Sequence, residues 1–286
     1  MKHRKGIGMA ILLLIAVLVA LALIGPARWN RDTHALRARL EAARVPPAST
    51  RVDFTKFDGL PAPVQRYFRA VLRPGAPIVL DAAVHHTGSF NMGEDRDNWK
   101  PFTSDQLVVT RRPGFDWDAR VAMFPGAPVH VHDAYVAGEG MLHAAILGLV
   151  TVADVRGTPD AAAGELMRFL AEAAWYPTAL LPGQGVRWEA VDDRSARATL
   201  VDGPVSVMLT FQFNAEGLID TVRAEARGRT VGGRVVPTPW EGRFRNYAER
   251  GGMRVPLEGE VGWILPQGWR PYWRGRIEQI AYRMAE

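Results

Sequence analysis

The stretch VSVMLTFQF at residues 205–213 decides the fold class. Val205, Val207, Leu209, Phe211 and Phe213 recur at every second position, the period of a half-buried strand. Asn214-Ala215-Glu216-Gly217 then turns the chain into Leu218 to Arg227, which makes the pair an antiparallel hairpin. Working outward, Phe115, Trp117, Ala119, Val121 and Met123 alternate with Asp116, Asp118 and Arg120. Similar segments recur at 79–90, 104–110, 128–137, 141–153, 186–191, 195–202, 238–249, 258–264 and 268–282. About ten or eleven strands joined mostly by short turns predict one antiparallel meander. Met141 to Ala153, apolar on both faces apart from His143 and Thr151, reads as a strand covered on both sides.

One helix interrupts the pattern and another precedes it. In DAAAGELMRFLAEAAW, residues 160–175, an apolar stripe is formed by Leu166, Phe169, Leu170, Ala173 and Ala174, with Glu165, Arg168 and Glu172 opposite it at ion-pair spacing. Pro61 to Leu72 carries a second stripe of Val64, Tyr67, Phe68 and Val71, which must dock on something. A lone amphipathic helix inside a meander packs across one face of a curved sheet. The expected fold is therefore mainly β with some α: a large curved antiparallel sheet, a half-barrel, with a central amphipathic helix.

The chain has 286 residues, no cysteine and a formal charge of +5. Missing cysteine excludes a disulfide scaffold, a zinc-thiolate site and a cysteine nucleophile. The high pI of about 9.8 is an N-terminal property. Residues 1–50 carry eight Lys/Arg and two acids, whereas the remainder carries 27 basic and 28 acidic residues. A near-neutral domain disfavours nucleic acid as a partner. Ile7 to Ile24 runs without a charge behind Lys2, Arg4 and Lys5, and as a helix reaches roughly 27 Å, close to the hydrocarbon thickness of a bilayer. We read residues 1–27 as an uncleaved membrane anchor, since Gly25-Pro26-Ala27 is a poor signal-peptide exit.

Residues 28–50 then form a juxtamembrane helix and linker. The helix, Asn30 to Arg44, bears Leu36, Leu40 and Ala43 on one stripe and either rests against anionic headgroups or stands in solvent. Val45-Pro46-Pro47-Ala48-Ser49-Thr50 is the linker, and residues 51–286 are the half-barrel domain. Three basic residues before the span and five after it favour a cytoplasmic domain. The short basic head leading an apolar run favours a signal-anchor that exports the domain behind it. The expected location is the bacterial inner membrane, single-pass, with the domain periplasmic or extracellular.

Trp99-Lys100-Pro101-Phe102, Gly114-Phe115-Asp116-Trp117, Glu172 to Pro182 (EAAWYPTALLP) and Val186-Arg187-Trp188 resemble the motifs of a bacterial family known as a conserved domain of unknown function. The likeness covers nearly all of residues 55–283 and implies no reaction. The architecture is similar to the LolA/LolB lipoprotein-carrier half-barrels and to the related fold of the pigment-biosynthesis enzyme VioE, which implies a pocket for an apolar or lipid-like molecule. A retained anchor departs from LolA and the missing lipidation cysteine departs from LolB, so a shuttling carrier is not expected.

Candidate sites have competing readings. His130 and His132 project from one strand face and suit two metal ligands. A turn at Gly138 to Gly140 places His143 opposite residue 135, too far to complete the set, and His85 and His86 point to opposite faces. Surface or core histidines are the plainer account. Glu172 near Trp175 offers acid/base chemistry if its carboxyl sits in an apolar pocket, and otherwise belongs to the solvated face of Glu165 and Arg168. Ser89, Ser104, Ser195 and Ser206 lie in no nucleophile elbow.

Glu241, Arg243 and Arg245, then Arg270, Arg274, Arg276 and Glu278, then Arg223, Glu225 and Arg227 read as cross-strand ion pairs or as an arginine surface for phosphate headgroups. Trp117, Phe169, Trp175, Trp240 and Trp263 are the expected ligand-lining residues. No cofactor is expected. The function expected is a membrane-anchored, exported half-barrel that binds a hydrophobic or lipid-like ligand; the alternatives are an enzyme using Glu172 or His130 and His132, and a structural partner of an envelope complex.

Overall fold

The computed structural model describes the backbone of residues 2–93 and 96–286; the side chains of residues 2–8, 10, 11 and 14–22 lie outside the described residues, and with them most of the expected span Ile7–Ile24. Helix α1 is Lys2–Ala42, α2 Ala62–Val71 and α3 Pro159–Glu172. Among the described residues no helix is long and apolar enough to cross a membrane.

Thirteen antiparallel strands form one sheet. The first wing is β1 (Val79–Asn91), β2 (Trp99–Val109), β3 (Gly114–Phe124), β4 (Ala127–Val136), β5 (Glu139–Ile146) and β6 (Val150–Arg156). The second is β7 (Arg187–Ala190), β8 (Ser195–Asp202), β9 (Val205–Phe213), β10 (Ile219–Val231), β11 (Arg234–Arg250), β12 (Met253–Leu265) and β13 (Gly268–Met284). The spatial order β6-β5-β4-β3-β2-β1-β13-β12-β11-β10-β9-β8-β7 is two meanders joined where β1 pairs β13. A right-handed twist of about 20–25° per strand pair, accumulated over the whole sheet, curls it into a half-barrel. The wings meet: Asp202 of β8 accepts from Tyr135 Oη of β4 at 3.0 Å and pairs with Arg112.

The link between the two edge strands β6 and β7 has to traverse the concave face, and α3 makes that crossing. Thr158 caps it by accepting from Ala161 N at 3.1 Å, and Pro159 fits the first turn. Three short 3-10 turns follow through Gln184 and are pinned from several elements. Tyr176 Oη donates to Phe169 O (2.9 Å), Val79 N donates to Thr178 Oγ1 (3.0 Å), Trp188 Nε1 donates to Leu180 O (2.9 Å) and Tyr282 Oη donates to Trp175 O (2.7 Å). The main core fills the concave face around α3 and α2, whose Val64, Tyr67, Phe68 and Val71 are all buried.

Two expectations are corrected. The apolar run Met141–Ala153 is not one covered strand. It is a hairpin of β5 and β6 turning at Leu147–Leu149, and Val150 and Val152 of the edge strand are exposed. The segment Asn30–Arg44 does not stand free as a solvated stalk, because the sheet covers one of its faces. Trp29, Thr33, Leu36 and Leu40 are buried on the convex face, where Leu36 and Leu40 form a second core with Val109, Ala134 and Val136. Gly114 is required there, because a Cβ would lie 2.6 Å from Leu40 Cδ1 and 2.8 Å from Tyr135 O.

Candidate functional site

The concave face holds a buried charged network. Arg168 of α3 donates through Nε to Glu172 Oε1 (2.7 Å) and through Nη1 to Asp133 Oδ2 (2.5 Å), with its guanidinium 4.8 Å from the Phe115 ring and 5.1 Å from Trp117. Glu172 also accepts from Gln106 Nε2 at 2.7 Å. Arg227 lies 3.8 Å from Glu165 and 5.0 Å from the Trp240 ring. The expected solvated face of α3 is therefore turned inward: the side chains of Glu165, Arg168 and Glu172 are only 13%, 14% and 12% exposed. Arg227 reaches this network because β10 shifts register between Ala224 and Arg227. That bulge rotates it off the outer face shared by Arg223 and Glu225.

Burial and the neighbouring Asp133 push the Glu165 carboxyl well above its ordinary range, with Arg227 and Arg168 pulling the other way. Burial pulls the Arg168 pKa down, but Glu172, Asp133 and Glu165 together outweigh it and the net direction is up. Several buried polar atoms nearby have no hydrogen-bond partner among the described residues: Asp133 Oδ1, Glu165 Oε2, Gln106 Oε1, Trp117 Nε1, Trp175 Nε1 and His86 Nε2. His86 packs 5.1 Å from Trp175, with Ser104 Oγ 3.4 Å from its Nδ1, and burial lowers its pKa to about 3.

Beside this network lies a cavity of about 90 Å³. Its apolar wall is Trp175, Trp240, Phe244, Val261 and Trp273, and its polar side includes Asp133, Arg168, Glu172 and Arg227. Gly259 keeps it open, since a Cβ there would already contact Trp273 at 3.4 Å and Trp175 at 3.5 Å. On the measure by which one water needs roughly 10–15 Å³, the space takes a small group or several waters. Of the five aromatics expected to line a ligand, Trp175 and Trp240 lie on the wall of this cavity. Trp117 is buried beneath Arg168, Phe169 packs on Tyr176 (ring centroids 5.6 Å apart) and Trp263 stacks on Tyr272 (5.5 Å).

The sequence pointed to none of Asp133, Gln106 or Arg227 as part of this cluster. The arginine rows make local ion pairs, among them Arg245–Glu258 (2.7 Å), Arg274–Glu260 (2.5 Å) and Arg243–Glu241 (2.8 Å), and Arg243 and Glu260 also line the cavity.

His130 and His132 lie on the convex face, under α1. The turn is Ala137-Gly138 rather than Gly138–Gly140, so β4 and β5 pair His132 directly with His143, not residue 135 with His143. The Trp29 ring stacks over His132 (4.4 Å) and His143 (5.6 Å) and lies 5.3 Å from His130. Trp29 Nε1 donates to Asp118 at 2.9 Å, Arg37 Nε donates to Asp116 at 2.8 Å, and His132 contacts Asp116 through Nδ1 (2.8 Å) and Thr33 Oγ1 through Nε2 (3.0 Å). Burial lowers the pKa of both His130 and His143, helped by Arg120 and Arg156 respectively. These groups seat the helix. Among the described residues no three His, Asp or Glu stand in a metal-ligating arrangement.

In a comparison of folds, the chain is similar to the LolA superfamily protein NE2245 from Nitrosomonas europaea, with 11% identity, a TM-score of 0.36, and coverage of 87% of this chain and 93% of that one. No curated protein matches it in sequence. Residues 58–282 match DUF6920, a family of unknown function, and the chain belongs to that family.

Proposed function

We propose that this chain is a membrane-anchored binding protein that holds one end of an amphiphile in the concave cleft between α3 and strands β10–β13. The observation that carries the reading is the composition of the cavity: an aromatic wall meets a buried charged cluster, and Trp175 Nε1 on its lining has no partner among the described residues. Such a mixture suits a molecule with an apolar body and a few hydrogen-bonding atoms. The volume accommodates a small group rather than a whole acyl chain. Residues 7–24 hold the protein in the inner membrane and place the domain on the exported side, a topology that reporter fusions at the C-terminus check.

Titration of the detergent-solubilised full chain with an environment-sensitive amphiphilic fluorophore tests the cleft. Saturable binding by the wild type, weakened at least about tenfold in a Gly259→Leu variant that fills the cavity, supports it. Equal binding by both proteins refutes it. A second reading, acid/base chemistry, is favoured by one feature, the buried Glu165 carboxyl pushed above its ordinary range beside Asp133. It would use that pair rather than Glu172, whose oxygens are occupied by Arg168 and Gln106.

A further inference from the structure

Three uncharged segments converge where α1 reaches the sheet. Gly25 packs so closely on the β5–β6 turn that a Cβ on it would lie 2.2 Å from Leu147 O, and Leu147 N donates to Pro128 O at 2.9 Å. The second contact ties the β5–β6 tip to the β3–β4 tip. Neither Gly6–Ala27, nor Val121–Val129, nor Ala144–Ala153 contains a charged residue. The side chains presented there are exposed: Phe124 51%, Val150 61%, Val152 54%, Leu23 68% and Ile24 55%. At the opposite end of the same strands the chain carries Arg111, Arg112, Glu139 and Arg156. A contiguous apolar patch on one end of a wing marks an interaction surface.

We infer that the tips of the β3–β4 and β5–β6 hairpins form a foot that sits in the interfacial zone of the bilayer beside the anchor. The bilayer is the partner because the patch is continuous with the uncharged segment that arrives at Gly25. Arg28 and Arg31, both exposed, follow within two turns of the helix, where guanidinium groups meet lipid phosphates. The foot, together with the docked α1, fixes the height and tilt of the half-barrel over the membrane. This inference rests on the membrane-anchor reading above.

The absence of native cysteine makes the test clean. Single variants Phe124→Cys, Val152→Cys, Leu13→Cys and Val191→Cys of the full chain carry an environment-sensitive fluorophore. Each is reconstituted into phosphatidylethanolamine/phosphatidylglycerol vesicles with and without a lipid-borne quencher near the headgroup. Val191, exposed in the β7–β8 turn of the other wing, is the aqueous reference. Blue-shifted emission that is lost to the quencher at positions 124, 152 and 13, but not at 191, is the expected result.

Quenching at 13 with aqueous spectra at 124 and 152 overturns the foot and leaves the anchor standing. A blue shift at 124 and 152 that the lipid quencher does not touch means that protein, a second copy of the chain, covers the patch, and also overturns it. Aqueous spectra at 13 overturn the anchor and the foot together.

Discussion

Replacing Trp29 with alanine tests whether the N-terminal helix is part of the folded domain. The indole is 1% exposed, stacks on His132 at 4.4 Å and 14°, and donates to Asp118 at 2.9 Å. Truncating a fully buried tryptophan costs about 3–5 kcal/mol. Leaving the Asp118 carboxylate short of a donor adds about 1–3 kcal/mol, reduced here because Thr33 Oγ1 lies 3.4 Å from its other oxygen.

The total is bounded by the docking free energy of the helix, because an undocked helix loses nothing further. For a domain of this size 1 kcal/mol corresponds to about 2–4 °C, so the truncation alone is expected to lower Tm by about 6–20 °C. Trp29→Phe, which retains most of the apolar contact and loses the donor, is expected to fall between alanine and wild type. The assay is thermal melting by near-ultraviolet circular dichroism, with hydrogen exchange of Thr33 to Leu40 as the local readout. A Trp29→Ala protein that melts with the wild type and keeps those amides protected refutes the docking of α1.

Gly114→Val probes the other end of the same interface and is expected to release Leu40, shown by faster amide exchange around it, because even a Cβ would lie 2.6 Å from Leu40 Cδ1. In the cleft, Arg168→Met strands the Asp133 and Glu172 carboxylates and is expected to cost about 3–5 kcal/mol in urea unfolding. Glu165→Gln replaces a buried carboxyl with an amide of the same shape and is expected to stay within about 1 kcal/mol of wild type.

The pH dependence comes from the same groups. His86 has a folded pKa of about 3 against an ordinary 6.5, so its contribution to stability is complete above pH 6.5 and is lost as the pH falls toward 3, with His130 and His143 acting in the same direction. Glu165, raised by burial, acts oppositely: its contribution is present below its ordinary 4.5 and is lost as the pH rises through its folded value. Urea titrations across that range should show a shallower acid limb for His86→Leu and a shallower alkaline limb for Glu165→Gln.

Much of the sheet was legible because burial on one face imposes a period of two, and that period is strong in Phe115–Met123 and Val205–Phe213. The central helix was equally legible from Leu166, Phe169 and Leu170. Register was not legible: placing the β4–β5 turn at Gly138–Gly140 instead of Ala137-Gly138 moved the partner of His143 from His132 to residue 135. The Arg227 bulge inverts a face through an inserted residue that leaves no mark on the alternation. Asp116, Asp118 and His132 alternate like water-facing residues. Their partners Trp29, Thr33 and Arg37 lie more than seventy residues away, so nothing local in β3 or β4 reveals that this face is covered. Glu165, Arg168 and Glu172 carry the spacing of a solvated helix face, and only the sheet curling over α3 turns them inward.

The cleft is the centre of the proposed function, and native mass spectrometry of the full chain, released from detergent, tests it most directly. The expected result is a wild-type population carrying one amphiphile, with that added mass missing from a Gly259→Leu protein that still melts cooperatively. A wild type that flies without any bound molecule and fails to acquire one from added lipid, or a Gly259→Leu protein that carries the same mass, contradicts it.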